Sequence, residues 1–457
     1  IPACVVILDK ENAQARTGVF MIDASKGFIK DGNKNRLRSQ DIHKIVDTFN
    51  NQIEIDRYSR MVPIAEIADP KNDYNLNIPR YIDSSEPEDL QDLSAHLHGG
   101  IPDRDLDALQ NYWDALPQLR SQIFAPNRPG YSDLAIDISA VQQAIFDAPG
   151  FHKLRDEATG IVEDWFASHR DALADITADT KPNELVATIG DDLLARFKPM
   201  PLLDEYDVYE QLMTYWHDTM HDDVYLVMAD GWLNAAKPRK TIEDKERKLS
   251  ETPDLVVGSG RSATKYKMDL IPPALIVARY FADEQATIDD LTAAAEEATR
   301  AVEEYIEEHA VEDGLLTDAM DDDKISKALV AARMKAIKTG GDPAEIKALQ
   351  HAGVLYNAEA TAKKAVKDAQ ADLDLATLKK YGDLAEDDIK TLVLDDKWLA
   401  TVMHRVSSEV EALTLDLVAR IQQLGVRYAA TVSDLDSELD RLEAKVADHL
   451  AAMGVEE

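Results

Sequence analysis

Two short runs of aliphatic and β-branched residues open the chain, and no comparable series follows them. Residues 1–9 (IPACVVILD) and 18–23 (GVFMID) flank a polar connector and read as two buried strands joined by a loop. Two strands cannot bury both of their faces, so they call for a larger sheet. No further strands alternating with crossover helices appear, so most of that sheet is missing from this chain or comes from elsewhere. From Ser39 the period changes. Ser39 reads as an N-cap for Ile42, Ile45, Val46 and Phe49, which share one helical face, and this helix is expected to end near Asn50. In 72–83 (NDYNLNIPRYID), alternation of Tyr74, Leu76 and Ile78 predicts an extended piece, and Pro79 bars a helix through it.

Beyond Glu86 the pattern is helical almost throughout, with helices predicted at 87–97, 103–124, 138–147, 150–176, 182–197, 204–229, 271–282, 286–310, 323–338, 343–380 and 396–453, separated by Gly and Pro. The fold class is therefore mainly α. At the C-terminus Val406, Val410, Leu413, Leu417, Leu424 and Tyr428 recur at spacings of three, four or seven. After Thr431, the residues Val432, Leu435, Leu439, Leu442, Val446 and Met453 keep a seven-residue rhythm. Ser433 with Asp436 offers a helix start inside the pattern, so a long antiparallel helical hairpin of coiled-coil type is expected rather than one rod. Its apolar stripe needs more helices to cover it.

Charge narrows the function classes. The 457 residues carry 50 Lys and Arg against 86 Asp and Glu, a formal net charge of −36, which argues against a free-standing nucleic-acid binder. One basic island stands out: 237–267 holds nine Lys and Arg against five Asp and Glu, broken by Pro238, Pro253, Gly258 and Gly260. It reads either as a loop with solvated charges or as a segment touching a phosphate backbone. The single cysteine, Cys4, excludes a disulfide framework and implies a reducing, cytoplasmic compartment. No apolar run approaches the roughly 18–20 residues that span a bilayer, so no membrane association is expected.

Direct tests for chemistry return nothing strong. A P-loop, a serine elbow and a dinucleotide fingerprint are absent, and Gly258-Ser-Gly260 lacks the third glycine. His217 and His221 stand one helical turn apart before Asp222 and Asp223, but Asp218 follows the first His where a metalloprotease helix has Glu, and no third distant ligand is evident; no metal is expected. Adenine amino-methylation uses an Asn/Asp-Pro-Pro-aromatic loop to hold a flipped base. Ile271-Pro272-Pro273-Ala274 has the prolines without the amide or the ring, so no catalytic residue is assigned.

Several strings converge on one family. IPACVVILDK (1–10), FMIDASKGF (20–28), DIHKIVDTF (41–49) and above all EIADPKNDYNLNIPRYID (66–83) resemble the second half of the modification subunit of type I restriction–modification systems. The strings at 207–232, 267–282 and 395–402 and the terminal hairpin are similar to its longer members. The resemblance implies an adenine-specific DNA methyltransferase that uses S-adenosylmethionine, two copies of which join one specificity subunit and then restriction subunits on double-stranded DNA. It also implies that the Gly-rich S-adenosylmethionine loop and the Asn-Pro-Pro-aromatic loop precede the strand matching 1–9. Neither occurs in this chain, so a C-terminal part, not catalytic alone, is expected, in keeping with an opening Ile-Pro that reads as a fragment or a cleavage product.

On that resemblance the segments are 1–85, the last strands and helix of an α/β catalytic domain; 86–235, helical; 236–268, the basic loop; 269–394, helical; and 395–457, the partner-binding hairpin. The expected partner interface is Val406, Leu413, Leu417, Leu424, Leu435, Leu439, Leu442 and Val446. The candidate DNA contacts are Asn75 and Arg80, for which a structural brace is the competing role, and Lys237, Arg239, Lys240, Arg261, Lys265 and Lys267. Two readings compete: an acidic DNA mimic, which the mixed charges of 237–267 and of the terminal helices disfavour, and a self-associating coiled-coil scaffold.

Overall fold

Most periodic segments form helices whose ends local chemistry sets, but 103–124 breaks into Asp103–Asp107, Gln110–Ala115 and Leu119–Ile123, and among the described residues 87–97 is helical only in Leu93–His98. The computed structural model describes residues 4–85, 88–244, 249–311, 314–321, 324–337 and 340–453. In chain order the elements needed below are β1 (Gly18–Ile22), α1 (Ser39–Asn51), β2 (Ser59–Pro63), α2 (Pro149–Ala174), α3 (Pro182–Phe197), α4 (Glu205–Tyr215), α5 (Ala282–His309), α6 (Pro343–Gly382), α7 (Ala400–Arg427) and α8 (Val432–Ala452). The chain sorts into two units assembled from separated stretches: Ile1–Ala172, Lys181–His221 and Leu399–Glu457 in the first, Leu173–Thr180 and Asp222–Trp398 in the second.

In the first unit β1 pairs antiparallel with β2, from Gly18 opposite Pro63 to Ile22 opposite Ser59. Gly18 is required there, since a Cβ would lie 2.7 Å from the Val62 carbonyl oxygen. Met21, Val62, Ile67, Tyr81 and Ile82 form a small core behind this pair. The strand expected over 1–9 does not form in its described part; 1–3 lie outside the described residues, and 4–9 are unpaired, with Val5 89% and Leu8 91% exposed. β1 and β2 form a two-stranded sheet to which 4–9 add no strand. The helix cap is also corrected: Arg38, not Ser39, precedes α1, because the Asp41 carboxylate accepts from the Arg38 backbone N–H (2.8 Å) and from its guanidinium.

The main core of this unit is helical. The Trp165 indole on α2 donates to the Ile189 carbonyl on α3 (2.8 Å), and Gly190 lets α3 approach α4 so closely that a Cβ would meet the Tyr209 ring at 2.9 Å. Along α7, Val402, Val406, Val410, Leu417, Val418, Ile421 and Leu424 are buried. After a turn at 428–431, α8 starts beside the helix Leu93–His98, and every residue from 432 to 453 is exposed. The two stripes of the expected hairpin therefore do not close on each other. That of α7 is consumed in the unit's own core, and that of α8 is bare.

In the second unit α5 and α6 run antiparallel, as Thr299 donating to Glu359 and Tyr305 lying at Ala348 require. Forty residues of α6 correspond to a rod of about 60 Å. Leu316, Ala319, Val330, Ala348, Leu349 and Ala352 make a separate small core at one end of the pair. The segment 236–268, expected as a loop, contains strands: Leu255–Val257, Thr264–Lys267 and Arg239–Lys240 form an antiparallel sheet in that order, and Glu243–Asp244 pairs with Leu249–Ser250. Its Lys and Arg residues mask a short apolar alternation around Leu255 and Val257.

Candidate assembly surface

The string NDYNLNIPRY, which carries the family resemblance, folds into a braced turn rather than the extended piece expected. Asp73 (φ 47°) and Tyr74 (φ 56°) both adopt the left-handed region, which removes any strand alternation. The Asn72 side-chain amide donates to the Glu66 carbonyl (2.8 Å), the Asn75 side-chain oxygen accepts from the Asn77 N–H (2.9 Å), and the buried Tyr81 hydroxyl donates to the Asn75 carbonyl (2.5 Å). Asn75 is thus engaged from both its side chain and its backbone. Arg80 is exposed at the edge of the short 3-10 turn Ile78–Arg80 and reaches the Lys71 carbonyl at 3.4 Å. Behind the turn, Asp23 accepts from the Ser84 hydroxyl (2.6 Å) and the Ser25 N–H (3.0 Å); burial alone would raise its carboxyl, but these bonds outweigh burial and lower it.

Among the five Lys and Arg of 236–268 with described side chains, three are matched by acids within the same unit. Arg239 makes bidentate pairs with both Glu251 and Asp269, Lys265 pairs with Glu243 (3.2 Å), and Lys267 with Asp254 (2.7 Å). The Arg239 guanidinium, with the Ile242 N–H, pulls the Glu251 carboxyl down to about 2. Lys237 donates to the Asn234 side chain (2.8 Å), and Lys240 is exposed on its strand. Arg261 lies in the turn Gly260–Ser262, and its side chain is outside the described residues.

The eight hairpin positions separate by burial. Val406, Leu417 and Leu424 are inside the first unit and Leu413 is half-buried, whereas Leu435, Leu439, Leu442 and Val446 are exposed on α8. A capping box fixes where α8 starts: the Thr431 hydroxyl accepts from the Asp434 N–H (3.1 Å), and the Asp434 carboxylate accepts from the Thr431 N–H (2.9 Å). Sequence reading placed that start two residues later, at Ser433. The base of α7 is secured by Arg420 and Arg427, which converge on Asp89 and hold its carboxyl far below the ordinary carboxylate range.

One constellation escaped sequence reading. In the second unit, Lys397 on the π-helical turn Thr391–Leu399 donates to both oxygens of Asp223 (2.8 and 2.6 Å) and to the Leu270 carbonyl (2.7 Å), and the Trp398 indole donates to Asp223 (2.8 Å). Burial pushes the Asp223 carboxyl up, and the Lys397 ammonium opposes it. Asp223 is therefore committed to this pair rather than to His217 and His221, and among the described residues no three His, Cys, Asp or Glu side chains gather as metal ligands. The only signal for the pair in the sequence is a Lys beside a Trp in an apolar stretch (DDKWLATV). Among the described residues, no helix is long and apolar enough to cross a membrane.

The β1–β2 pair, α1 and the braced turn all lie within residues 1–90, and those residues match the family described as N-6 DNA Methylase. That match covers 90 of the 457 residues. Proteins similar to this segment include two of Methanocaldococcus jannaschii. The type I restriction enzyme MjaVII methylase subunit is 39% identical over 100 residues, 21% of this chain and 17% of that protein. The MjaVIII methylase subunit is 34% identical over 96 residues, 20% of this chain and 16% of that protein. The MpnII methylase subunit of Mycoplasma pneumoniae is 28% identical over 96 residues, 21% and 17% of the two chains. The chain thus spans about a sixth of the length of the curated relatives it matches. No solved structure matches it.

Proposed function

We propose that this chain is the C-terminal part of the modification subunit of a type I restriction–modification enzyme, a site-specific adenine-N6 DNA methyltransferase, and that it serves assembly with the specificity subunit and clamping of double-stranded DNA in the complex. The observation that carries the reading is α8. Leu435, Leu439, Leu442 and Val446 form a heptad stripe that is exposed along its length. Burying an aliphatic side chain contributes about 1.5–3 kcal/mol, so a stripe of this length favours a helical cover. A helical spacer of the specificity subunit is the cover proposed.

The group transferred in such an enzyme is the methyl of S-adenosylmethionine, and the motifs that would hold it and the flipped adenine are not among these 457 residues. What this chain contributes is positional. The braced turn at 72–81 stiffens the end of the methylase-family segment, and among the described candidates the exposed Arg80, Lys237 and Lys240 are the phosphate contacts not matched by an acid. A second modification subunit and the restriction subunit complete the proposed assembly.

The test is co-expression of the 457-residue chain with the specificity subunit. Leu439→Asp with Leu442→Asp is expected to leave the thermal midpoint of the chain within about 2 °C, because both residues are solvated, while reducing specificity-subunit retention more than tenfold. Undiminished retention sinks the reading. A homodimer that the same variant dissociates supports the scaffold instead, and competition with DNA for unrelated DNA-binding proteins supports the mimic.

A further inference from the structure

Residues 24–40 carry five Lys and Arg (Lys26, Lys30, Lys34, Arg36 and Arg38) against the single acid Asp31, a denser positive stretch than 237–267 in a chain of net charge −36. They form an antiparallel hairpin, Ile29–Asp31 on Lys34–Arg36, with Gly32 in its turn at φ 58°. Burial does not account for it. Lys30, Asp31, Lys34, Asn35 and Arg36 are all exposed, and a Cβ at Gly32 would meet no atom within 4 Å. A two-stranded hairpin with so little apolar surface gains little from folding, so its side chains serve solvent or a partner.

The base of the hairpin has its charges answered, and the tip does not. At the base Arg38 pairs with Asp41, and the buried Asp23 accepts from the Ser25 N–H and the Ser84 hydroxyl. Helix α1, which follows, is fixed to α4: the Gln40 N–H donates to Glu210 (2.9 Å), the Gln40 side chain to Asp207 (2.6 Å) and Lys44 to Asp204 (2.9 Å). At the tip Arg36 takes Asp31 (3.4 Å), and among the described residues no acid pairs with Lys26, Lys30 or Lys34. Lys30 lies 5.9 Å from the centre of the Phe28 ring, a contact that orients the ammonium without neutralising it. In 237–267, by contrast, Arg239, Lys265 and Lys267 each have an acid.

We infer that the hairpin tip, Lys30 and Lys34 with Lys26 and Arg36, is a contact for the phosphate backbone of duplex DNA. This inference rests on the function proposed above and puts part of its DNA clamping within the methylase-matched residues 1–90. An ammonium on a flexible stem acts on phosphate as a point charge, and the Asn35 amide adds a donor for phosphate or sugar oxygens, so the contact positions the duplex without reading its bases. Lys30 stands opposite Asn35 and Lys34 opposite Asp31, which puts the two lysines on opposite faces of the ribbon. A two-stranded ribbon fits the major groove, where phosphates stand on either side. Most of so acidic a surface repels DNA, and association therefore depends on the places where unanswered cations gather.

The test measures the full 457-residue chain, alone and after co-expression with the specificity subunit, against a fluorescently labelled DNA duplex by anisotropy between about 50 and 200 mM salt. Lys30→Gln with Lys34→Gln should weaken binding about tenfold at the lower salt and reduce the slope of log affinity against log salt by about two. The melting temperature should stay within about 2 °C, because both side chains are solvated. Lys30→Arg with Lys34→Arg should keep the wild-type slope. Lys153→Gln with Lys181→Gln removes the same charge from the same unit, but from lysines paired with Glu157 and Glu184, and should leave binding unchanged. Equal weakening by the two Gln pairs would reduce the effect to net charge and overturn the inference. Undiminished binding by Lys30→Gln with Lys34→Gln, or no duplex binding by the wild type in either preparation, overturns it too, whereas the assembly reading stands or falls on retention of the specificity subunit. Tighter binding of double-stranded RNA than of DNA would assign the hairpin to RNA and overturn the inference.

Discussion

Lys397→Met isolates the buried pair of the second unit. The wild-type ammonium gives Asp223 two hydrogen bonds and the Leu270 carbonyl a third, with the Lys397 and Asp223 side chains only 10% and 4% exposed. Methionine fills nearly the same volume, so packing is conserved. What is lost is the counter-charge, while the Trp398 indole still donates to Asp223. Removing one partner of a buried ion pair typically costs about 3–5 kcal/mol, because the survivor stays desolvated without compensation. A unit of this size shifts its midpoint by about 2–4 °C per kcal/mol, so a fall of roughly 6–20 °C is expected in the unit's transition in thermal unfolding followed by tryptophan fluorescence. Adding Asp223→Leu removes the stranded carboxylate and should restore most of the loss. A single-variant shift below about 2 °C, or a double variant as unstable as the single one, would refute the argument that the pair is held in a desolvated site.

Asp89→Asn releases Arg420 and Arg427 from the base of α7; with the Asp89 side chain 40% exposed, solvent screening keeps the cost near ~1 kcal/mol in urea unfolding. Because the folded carboxyl lies below its ordinary 3.8, this contribution is fully present above about pH 4 and is lost as pH falls through the folded value, so wild type and variant should converge in acid. Glu409, raised by burial and by the nearby Asp207, works in the opposite sense: its folded form holds a proton more tightly than the unfolded chain, so it costs stability as pH rises, and Glu409→Gln should be the more stable protein at neutral pH in paired melts. Gly190→Val places methyl groups against the Tyr209 ring and the Met213 methyl and should cost about 1–3 kcal/mol, read as a lower urea midpoint at unchanged slope.

Local periodicity determined the helices, because a helix is specified by residues three and four positions apart: α2, α3, α5 and α6 form within a few residues of the predicted bounds. The family segment was legible too, since NDYNLNIPRY is a string of particular residues rather than a pattern. Partner choice was not. The amphipathicity of α1 is plain in its sequence, but which stripe turns inward depends on Asp204, Asp207 and Glu210, some 160 residues away. The same holds for the basic segment, where acids at 243, 251, 254 and 269 neutralise cations that look free along the chain. The stripes of α7 and α8 are alike in sequence, yet one is core and the other is bare, because only α7 runs beside α4. Burial and charge compensation are properties of neighbours in space, and only the tertiary structure supplies those neighbours.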